Sequence, residues 1–133
     1  MKVGALVRDV LDCLEREHPA ASARVRGSLS TVRVEATLDG ERVTIAPGDA
    51  SRAAPVTVRA SVETMCRVLF GEADVLDEIV ADRLELVGAP DDLVSVADAM
   101  VAFVEGAMRC VSIDTYVDRL TSIREERHCA QRT

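Results

Sequence analysis

Aromatic residues are almost absent from this chain: Phe70, Phe103 and Tyr116 are the complete set, and there is no Trp. Any interior must therefore be built from Val, Leu, Ile, Met and Ala, which pack into an aliphatic core. Intrinsic disorder is excluded, because 48% of the 133 residues are hydrophobic and 29% are charged. A chain of this length suffices for one domain with a buried core, and we expect a single domain over residues 1–133.

An excess of basic residues is also missing, since the formal net charge is −7 and no stripe of Lys or Arg offsets it. A negative surface repels phosphate backbones, which excludes nucleic acid as an expected partner. No apolar run approaches the roughly 20 residues that cross a bilayer. Arg8, Asp9 and Asp12 interrupt the first apolar run, unlike the core of a signal peptide. We expect a cytoplasmic protein without stable membrane insertion.

The residue combinations that perform catalysis are missing as well. His18 and His128 lie near opposite ends of the sequence, and neither has a neighbouring nucleophile together with an orienting carboxylate. No Gly-rich phosphate loop occurs, and the cysteines are spaced too widely for a CxxC pair or a zinc knuckle. They are Cys13, Cys66, Cys110 and Cys129. We therefore predict no catalytic residue, no metal ligand and no cofactor, and reduced, mostly buried thiols rather than disulfides.

The first half of the chain predicts two helices followed by a β-hairpin. Apolar residues three and four positions apart form one stripe of a helix over residues 2–17, and Pro19 opens a second helical segment. From Leu29 the apolar residues alternate, which is typical of half-buried strands. Asp39-Gly40 is a strong hairpin turn because both positions tolerate positive φ. Residues 46–54 have the composition of an exposed loop.

The second half alternates strands and helices with little loop between them. A third strand at residues 56–60 leads into a helix that Ser61 caps and Gly71 ends. A short helix at residues 74–81 precedes a fourth strand, which Leu84 and Leu86 mark by alternation.

Two further helices complete the predicted elements. Pro90 starts a long helix, whose apolar surface is too wide for one neighbour; we expect the sheet on one side and a ligand or another subunit on the other. The last helix, over residues 113–127, should fold back as a lid, and a polar tail follows His128.

Five consecutive segments carry a resemblance to a known family. They are PVTVRAS, LFGEAD, LDEIVAD, RLELVGA and PDDLVSVAD. Their order of strand, helix, helix, strand and helix, and their wording, resemble the sterol carrier protein 2 family over residues 29–104. Two positions depart from its pattern: Ala81-Asp82 stands where glycine is frequent, and Gly88-Ala89-Pro90 replaces Gly-Asp.

The resemblance implies an α+β fold with a twisted, mostly antiparallel sheet of about five strands and helices covering one face. N-terminal helices would occupy residues 1–28. A C-terminal helix and polar tail would occupy residues 105–133 as an extension of the family's domain.

Members of that family bind fatty acyl chains, sterols or other lipids. The resemblance therefore implies non-catalytic binding or carriage of a hydrophobic small molecule or lipid, in a tunnel with a floor of strand residues and a roof of helix residues. The candidate ligand-binding residues are Val32, Val34, Val43, Ile45, Val56, Val58, Met65, Leu69, Phe70, Leu76, Ile79, Met100, Phe103 and Val104. The same positions are equally compatible with a solid core, because a core and a tunnel wall share one period and one composition.

Other functions stay open at this level. The apolar C-terminal helices favour a protein–protein interaction module, as a homodimer or docked on a partner enzyme. A small biosynthetic enzyme or chaperone acting on a hydrophobic substrate is the weaker alternative, since one fold hosts several functions. Arg59 and Arg67 are candidates for holding a carboxylate head group, although exposed arginine is the more common explanation.

Overall fold

The computed structural model of the chain describes residues 2–30, 32–46 and 55–132. Six helices and four strands occupy these ranges. In chain order they are α1 (Lys2–Glu17), α2 (Pro19–Leu29), β1 (Val34–Leu38), β2 (Glu41–Ala46), β3 (Val56–Ala60), α3 (Val62–Leu69), α4 (Val75–Val80), β4 (Leu84–Val87), α5 (Pro90–Arg109) and α6 (Ile113–Arg132). The α+β class predicted from the sequence is confirmed.

Local sequence signals set several of these boundaries. The Ser61 side chain accepts a hydrogen bond from the Thr64 backbone N–H at 3.2 Å and so caps α3. Asp74 caps α4 in the same way, by accepting from the Leu76 N–H at 3.0 Å. Pro90 occupies the first turn of α5, where its missing N–H leaves no helical hydrogen bond unmade.

Two turns use residues in the left-handed backbone region. The predicted Asp39-Gly40 hairpin is present, with φ of 55° and 79° at the two residues. Asp82 has φ of 60° in the turn before β4. Aspartate is among the few non-glycine residues that adopt this conformation at modest cost, so Asp82 is compatible with the turn.

The four strands form one mixed sheet in the order β2-β1-β3-β4. The β1–β2 and β3–β4 pairs are antiparallel, whereas β1 and β3 run parallel and in register from Val34 opposite Val56 to Leu38 opposite Ala60. The prediction of about five strands was therefore one too many for the described residues. The predicted loop over residues 46–54 lies outside them except for Ala46, which ends β2.

One face of the sheet is buried and the other is open. Along β1 and β3 the buried residues alternate with more exposed ones, and Glu35, Arg59 and Glu85 all point to the open face. The residues of the buried face are Val34, Ala36, Leu38, Val43, Val56, Val58, Ala60 and Leu84. All helical cover is thus on one side, as predicted.

The helix layer is centred on α5, which packs against α1, α2, α3 and β3. Its second apolar neighbour is α2 of the same chain, where Val25 packs with Ala99 and Ala102. Helix α2 thus accounts for part of the width of the apolar surface, while Val94 is 72% exposed; a ligand or another subunit at α5 stays a prediction. Close contact with α1 requires Gly106, because a Cβ there would lie 2.5 Å from Cδ2 of the fully buried Leu14.

Helix α6 folds back over α1 and α3 as predicted. Its buried side chains are Tyr116, Leu120 and Ile123. The predicted end near residue 127 was too early, since the helix continues to Arg132. Among the described residues, no helix combines the length and the apolar character that crossing a membrane requires.

Candidate functional site

A cavity of about 180 Å³ lies between the buried face of the sheet and the helices, and it is partly open to solvent. All six helices and the strands β1, β3 and β4 contribute to its lining. The lining residues are Val3, Leu6, Val7, Val10, Leu11, Val25, Leu29, Val34, Ala36, Leu38, Val58, Ala60, Thr64, Met65, Val68, Leu69, Val75, Leu84, Val96, Ala99, Met100, Phe103, Val104 and Leu120. The two layers therefore enclose a hollow.

Short side chains account for this space. Ala36 and Ala60 lie on the floor, in adjacent strands of the sheet, and Ala99 lies in the roof on α5. Each side chain ends at Cβ, where a Val or Leu would project into the hollow. Since interiors are otherwise packed at crystal-like density, a void of this size needs several such positions together.

Half of the predicted ligand-binding residues line the cavity. They are Val34, Val58, Met65, Leu69, Met100, Phe103 and Val104. Val32, Val43 and Val56 are buried elsewhere in the core, and the side chain of Ile45 lies outside the described residues. That any of these residues binds a ligand stays a prediction.

The remaining three predicted residues lie outside the lining for identifiable reasons. Helix α4 has six residues and turns Val75 and Glu78 inward, which leaves Leu76 52% exposed and Ile79 only partly buried. Phe70 follows the end of α3, where the guanidinium of Arg124 lies 5.8 Å from its ring centroid. Four of the six residues of α4 are apolar, and their spacing did not indicate which of them would face the interior.

The N-terminal helices α1 and α2 line the cavity, although the predicted site contained none of their residues. The stripe of α1 and two residues of α2, Val25 and Leu29, form much of the wall. The stripe itself was predicted from its spacing.

The cavity offers no free polar group among the described residues. Thr64 is the one lining residue with a polar side chain, and its hydroxyl accepts from Arg67 Nη2 at 3.3 Å and donates to the Arg83 carbonyl at 3.4 Å. No buried side-chain nitrogen or oxygen in the described ranges lacks a hydrogen-bond partner. Recognition of a guest inside would therefore depend on shape and apolar contact.

Thr64 also belongs to a group that we call the Glu78 cluster, formed by Glu78, Arg67, Arg83 and Thr64. The Glu78 side chain has 0% exposure, and its carboxylate accepts from Arg67 Nε at 3.0 Å and from Arg83 Nε. The hydrogen bond from Arg67, reinforced by that from Arg83, lowers the pKa of Glu78 against the opposing effect of desolvation. The cluster ties α3, α4 and the start of β4 together.

The two arginines considered as head-group ligands are placed differently. Arg67 is engaged by Glu78 and Thr64. Arg59 lies on the open face of the sheet, 3.9 Å from Glu85, with 68% of its side chain exposed. Neither guanidinium lines the cavity.

A second group of side chains lies where α1 and α5 end. Sγ of Cys13, Sγ of Cys110 and a carboxylate oxygen of Glu17 lie within 4.8 Å of one another. Burial, a hydrogen bond with Cys13 and the nearby Glu17 charge raise the pKa of Cys110 to about 12. The same causes raise the pKa of the neighbouring Tyr116 phenol, with burial the largest. We call Cys13, Glu17 and Cys110 the thiol site.

Comparisons with protein-family models, with curated proteins and with solved structures found no significant match to this chain. The resemblance to the sterol carrier protein 2 family stays a prediction, and the cavity and the thiol site are interpreted from their own geometry.

Proposed function

We propose that this protein binds a small apolar molecule in the cavity and carries or presents it without covalent chemistry. The observation that supports the proposal is the cavity itself, about 180 Å³ with an apolar lining that includes Ala36, Ala60 and Ala99. Apolar cavities without polar partners do not hold water well and accept apolar guests. The driving force is the removal of apolar surface from water.

The size of the cavity limits the guest. A cavity of about 150 Å³ accommodates benzene, whereas sites for drug-sized ligands measure roughly 300–1,000 Å³. At about 180 Å³, the space suits a compact ring, a short acyl chain or the apolar end of a longer molecule whose remainder leaves through the open side. A sterol would require the helices to move apart.

Two lining residues give the wall some freedom to adapt. Met65 and Met100 lie on α3 and α5 and are partly buried. An unbranched thioether side chain changes shape at little cost, so guests of slightly different outline are accommodated. The interaction-module alternative has less support, because α2 covers the part of the α5 apolar surface formed by Ala99 and Ala102, and Val94 is left 72% exposed.

Direct detection of a guest tests the proposal. Native mass spectrometry and solvent extraction of the purified protein should reveal a bound apolar compound. For protein freed of that compound, titration with benzene and with decanoic acid, followed by amide chemical shifts, should perturb residues around the cavity.

A matched pair of substitutions on α5 sharpens the test. Ala99→Leu extends a side chain into the cavity, and binding of benzene should weaken at least tenfold while the fold is retained. Ala102→Leu adds the same atoms at a buried position that does not line the cavity, so binding per folded molecule should persist. Equal binding by wild type and Ala99→Leu, or perturbations away from the cavity, would overturn the proposal.

A further inference from the structure

The thiol site lies outside the cavity, since none of its three side chains belongs to the cavity lining. Cys13 and Glu17 are four residues apart on α1 and so share one face of that helix. Cys110 is the residue that follows α5. The fold therefore brings together two thiols and a carboxylate from the two ends of the sequence.

The three groups are close enough to share one ligand. Cys13 Sγ donates to Glu17 Oε2 at 2.6 Å, and the two sulfurs and a carboxylate oxygen all lie within 4.8 Å of one another. With metal–sulfur bonds of about 2.3 Å and metal–oxygen bonds of about 2.0–2.2 Å, small side-chain adjustments would place all three atoms around a single ion.

The surrounding backbone holds the site in place. The second carboxylate oxygen of Glu17 accepts from the Val111 N–H at 2.8 Å, which fixes the orientation of the carboxylate. His18 Nε2 donates to the Arg109 carbonyl at 3.0 Å, because a carbonyl can only accept. The first bond joins Glu17 to the residue after Cys110, and the second joins the residue after Glu17 to the residue before Cys110. Such supporting contacts orient the ligands of natural metal sites.

Burial and access are divided between the ligands. Cys13 is 0% exposed and Cys110 is 3% exposed, whereas Glu17 is only partly buried. Solvent and ions therefore reach the site from the carboxylate side, while the sulfurs lie in a drier environment.

We propose that Cys13, Glu17 and Cys110 bind a thiophilic divalent cation of the zinc class, with a fourth coordination position open to water. Two sulfur ligands select zinc and related ions over magnesium or calcium, which prefer sites made of oxygen. Three protein ligands with one open position is the arrangement of accessible rather than closed zinc sites. On binding, each thiol releases its proton to solvent as a metal–sulfur bond forms.

Cobalt provides a direct probe. The reduced, chelator-treated full-length protein is titrated with Co²⁺ in the absence of oxygen. We expect one ion per chain, with visible absorption typical of tetrahedral cobalt and near-ultraviolet thiolate-to-metal charge transfer. Zn²⁺ should then remove the colour by displacement, and zinc binding should raise the midpoint of thermal unfolding.

Variants identify the ligands. Cys13→Ser and Cys110→Ser should each lose much of the charge-transfer band, and Glu17→Gln, at a partly exposed position that tolerates change, should weaken cobalt binding at least tenfold. Cys66→Ser is the control for loss of a buried thiol elsewhere, and Cys129→Ser is the control for the exposed thiol. Both controls should bind cobalt like the wild type, with folding checked by far-ultraviolet circular dichroism.

Several outcomes would overturn the proposal. One is cobalt binding without charge transfer, and another is a band that survives both Cys13→Ser and Cys110→Ser or disappears in Cys129→Ser. Failure of the reduced wild type to bind cobalt or zinc would do the same. If oxidised protein lost two hydrogens by mass through a Cys13–Cys110 bond while reduced protein bound no metal, the pair would be a redox device instead.

Discussion

Thr64 belongs to two regions of different character. It lines the cavity, whose walls are aliphatic and whose volume is about 180 Å³, and it accepts a hydrogen bond from Arg67, a partner of the Glu78 carboxylate. That carboxylate has 0% exposure and two arginine partners. The first region leaves space unfilled, whereas the second fills its space with charge. The comparison indicates that the two regions have different roles. The Glu78 cluster fixes the positions of α3, α4 and β4, whereas the aliphatic wall of the cavity retains freedom to adjust.

The largest effect is expected from breaking the charged side of this comparison. In Glu78→Gln, the amide N–H group faces arginine donors and has no acceptor there, and both guanidinium groups lose their counter-charge. We expect the midpoint of thermal unfolding at neutral pH to fall on the order of 10 °C. Differential scanning calorimetry measures it.

Glu85→Gln is the control for this change. Its partner Arg59 is 3.9 Å away on the open face and 68% exposed, and exposed pairs of this kind contribute little. The midpoint of the control should stay close to that of the wild type. A similar fall in both variants would contradict the special role assigned to burial.

The second effect concerns the tight contact between α1 and α5. Gly106→Ala places a Cβ 2.5 Å from Leu14 Cδ2 and 3.2 Å from Ala21 Cβ, and the Leu14 side chain that would have to shift is fully buried. We expect the free energy of unfolding to fall by about 1–3 kcal/mol, the usual cost of overpacking. Chemical denaturation measures the change.

Gly27→Ala in α2 provides the opposite case, since nothing lies within 4 Å of its added Cβ. That substitution should increase the free energy of unfolding by roughly 0.5–1 kcal/mol through reduced backbone entropy in the unfolded chain. Equal responses at the two glycines would show that helix propensity, and not the contact, controls both.

The third effect tests whether the hollow costs stability. Ala36→Val adds two methyl groups at the cavity floor, on a strand that favours branched side chains. We expect a gain of about 0.5–2 kcal/mol in the free energy of unfolding, as for other cavity-filling changes. Ala107→Val is the comparison at a buried position outside the lining, and it should lose about 1–3 kcal/mol by overpacking.

The smallest effect concerns the exposed pair of Asp98 and Arg24, whose atoms lie 2.7 Å apart. The hydrogen bond from Arg24, followed by that from Ser28, lowers the pKa of Asp98. A lowered pKa in the folded state contributes stability above the unfolded value of about 3.9, and that contribution disappears as the pH falls through the lowered value. Asp98→Asn should therefore be slightly less stable than wild type at pH 7.

The difference should vanish in strong acid, and salt should reduce it at neutral pH because the pair is exposed. Denaturation midpoints of both proteins across pH 2–7 measure this. A difference that grows as the pH falls would contradict the sign of the pKa change.

The elements that the sequence predicted well were those with local causes. The α1 boundaries, the Asp39-Gly40 turn and the Ser61 cap each depend on residues within one turn of the backbone. The parallel pairing of β1 with β3 had no such signal, because alternation defines which face a residue occupies and not the direction of the neighbouring strand. Leu76 was predicted in the roof and is exposed, because the spacing of the apolar residues in the short helix α4 does not indicate which side of it faces the interior.

The candidate site was predicted in part for a related reason. Apolar spacing indicated which residues turn inward, and seven of them line the cavity. Apolar spacing did not indicate whether the inward residues of the two layers touch or leave a gap. That depends on how short side chains such as Ala36, Ala60 and Ala99 are combined in the sheet and in α5. The thiol site was missed because Cys13 and Cys110 are distant in sequence, although Cys13 and Glu17 are one helical turn apart.

The three alanines have a consequence for how the binding property can vary among descendants of this chain. Because the side chains of Ala36, Ala60 and Ala99 end at Cβ beside the cavity, a larger residue at any one of them would occupy part of the space. The size of the guest that the cavity accepts can therefore change by point mutation without a change of fold.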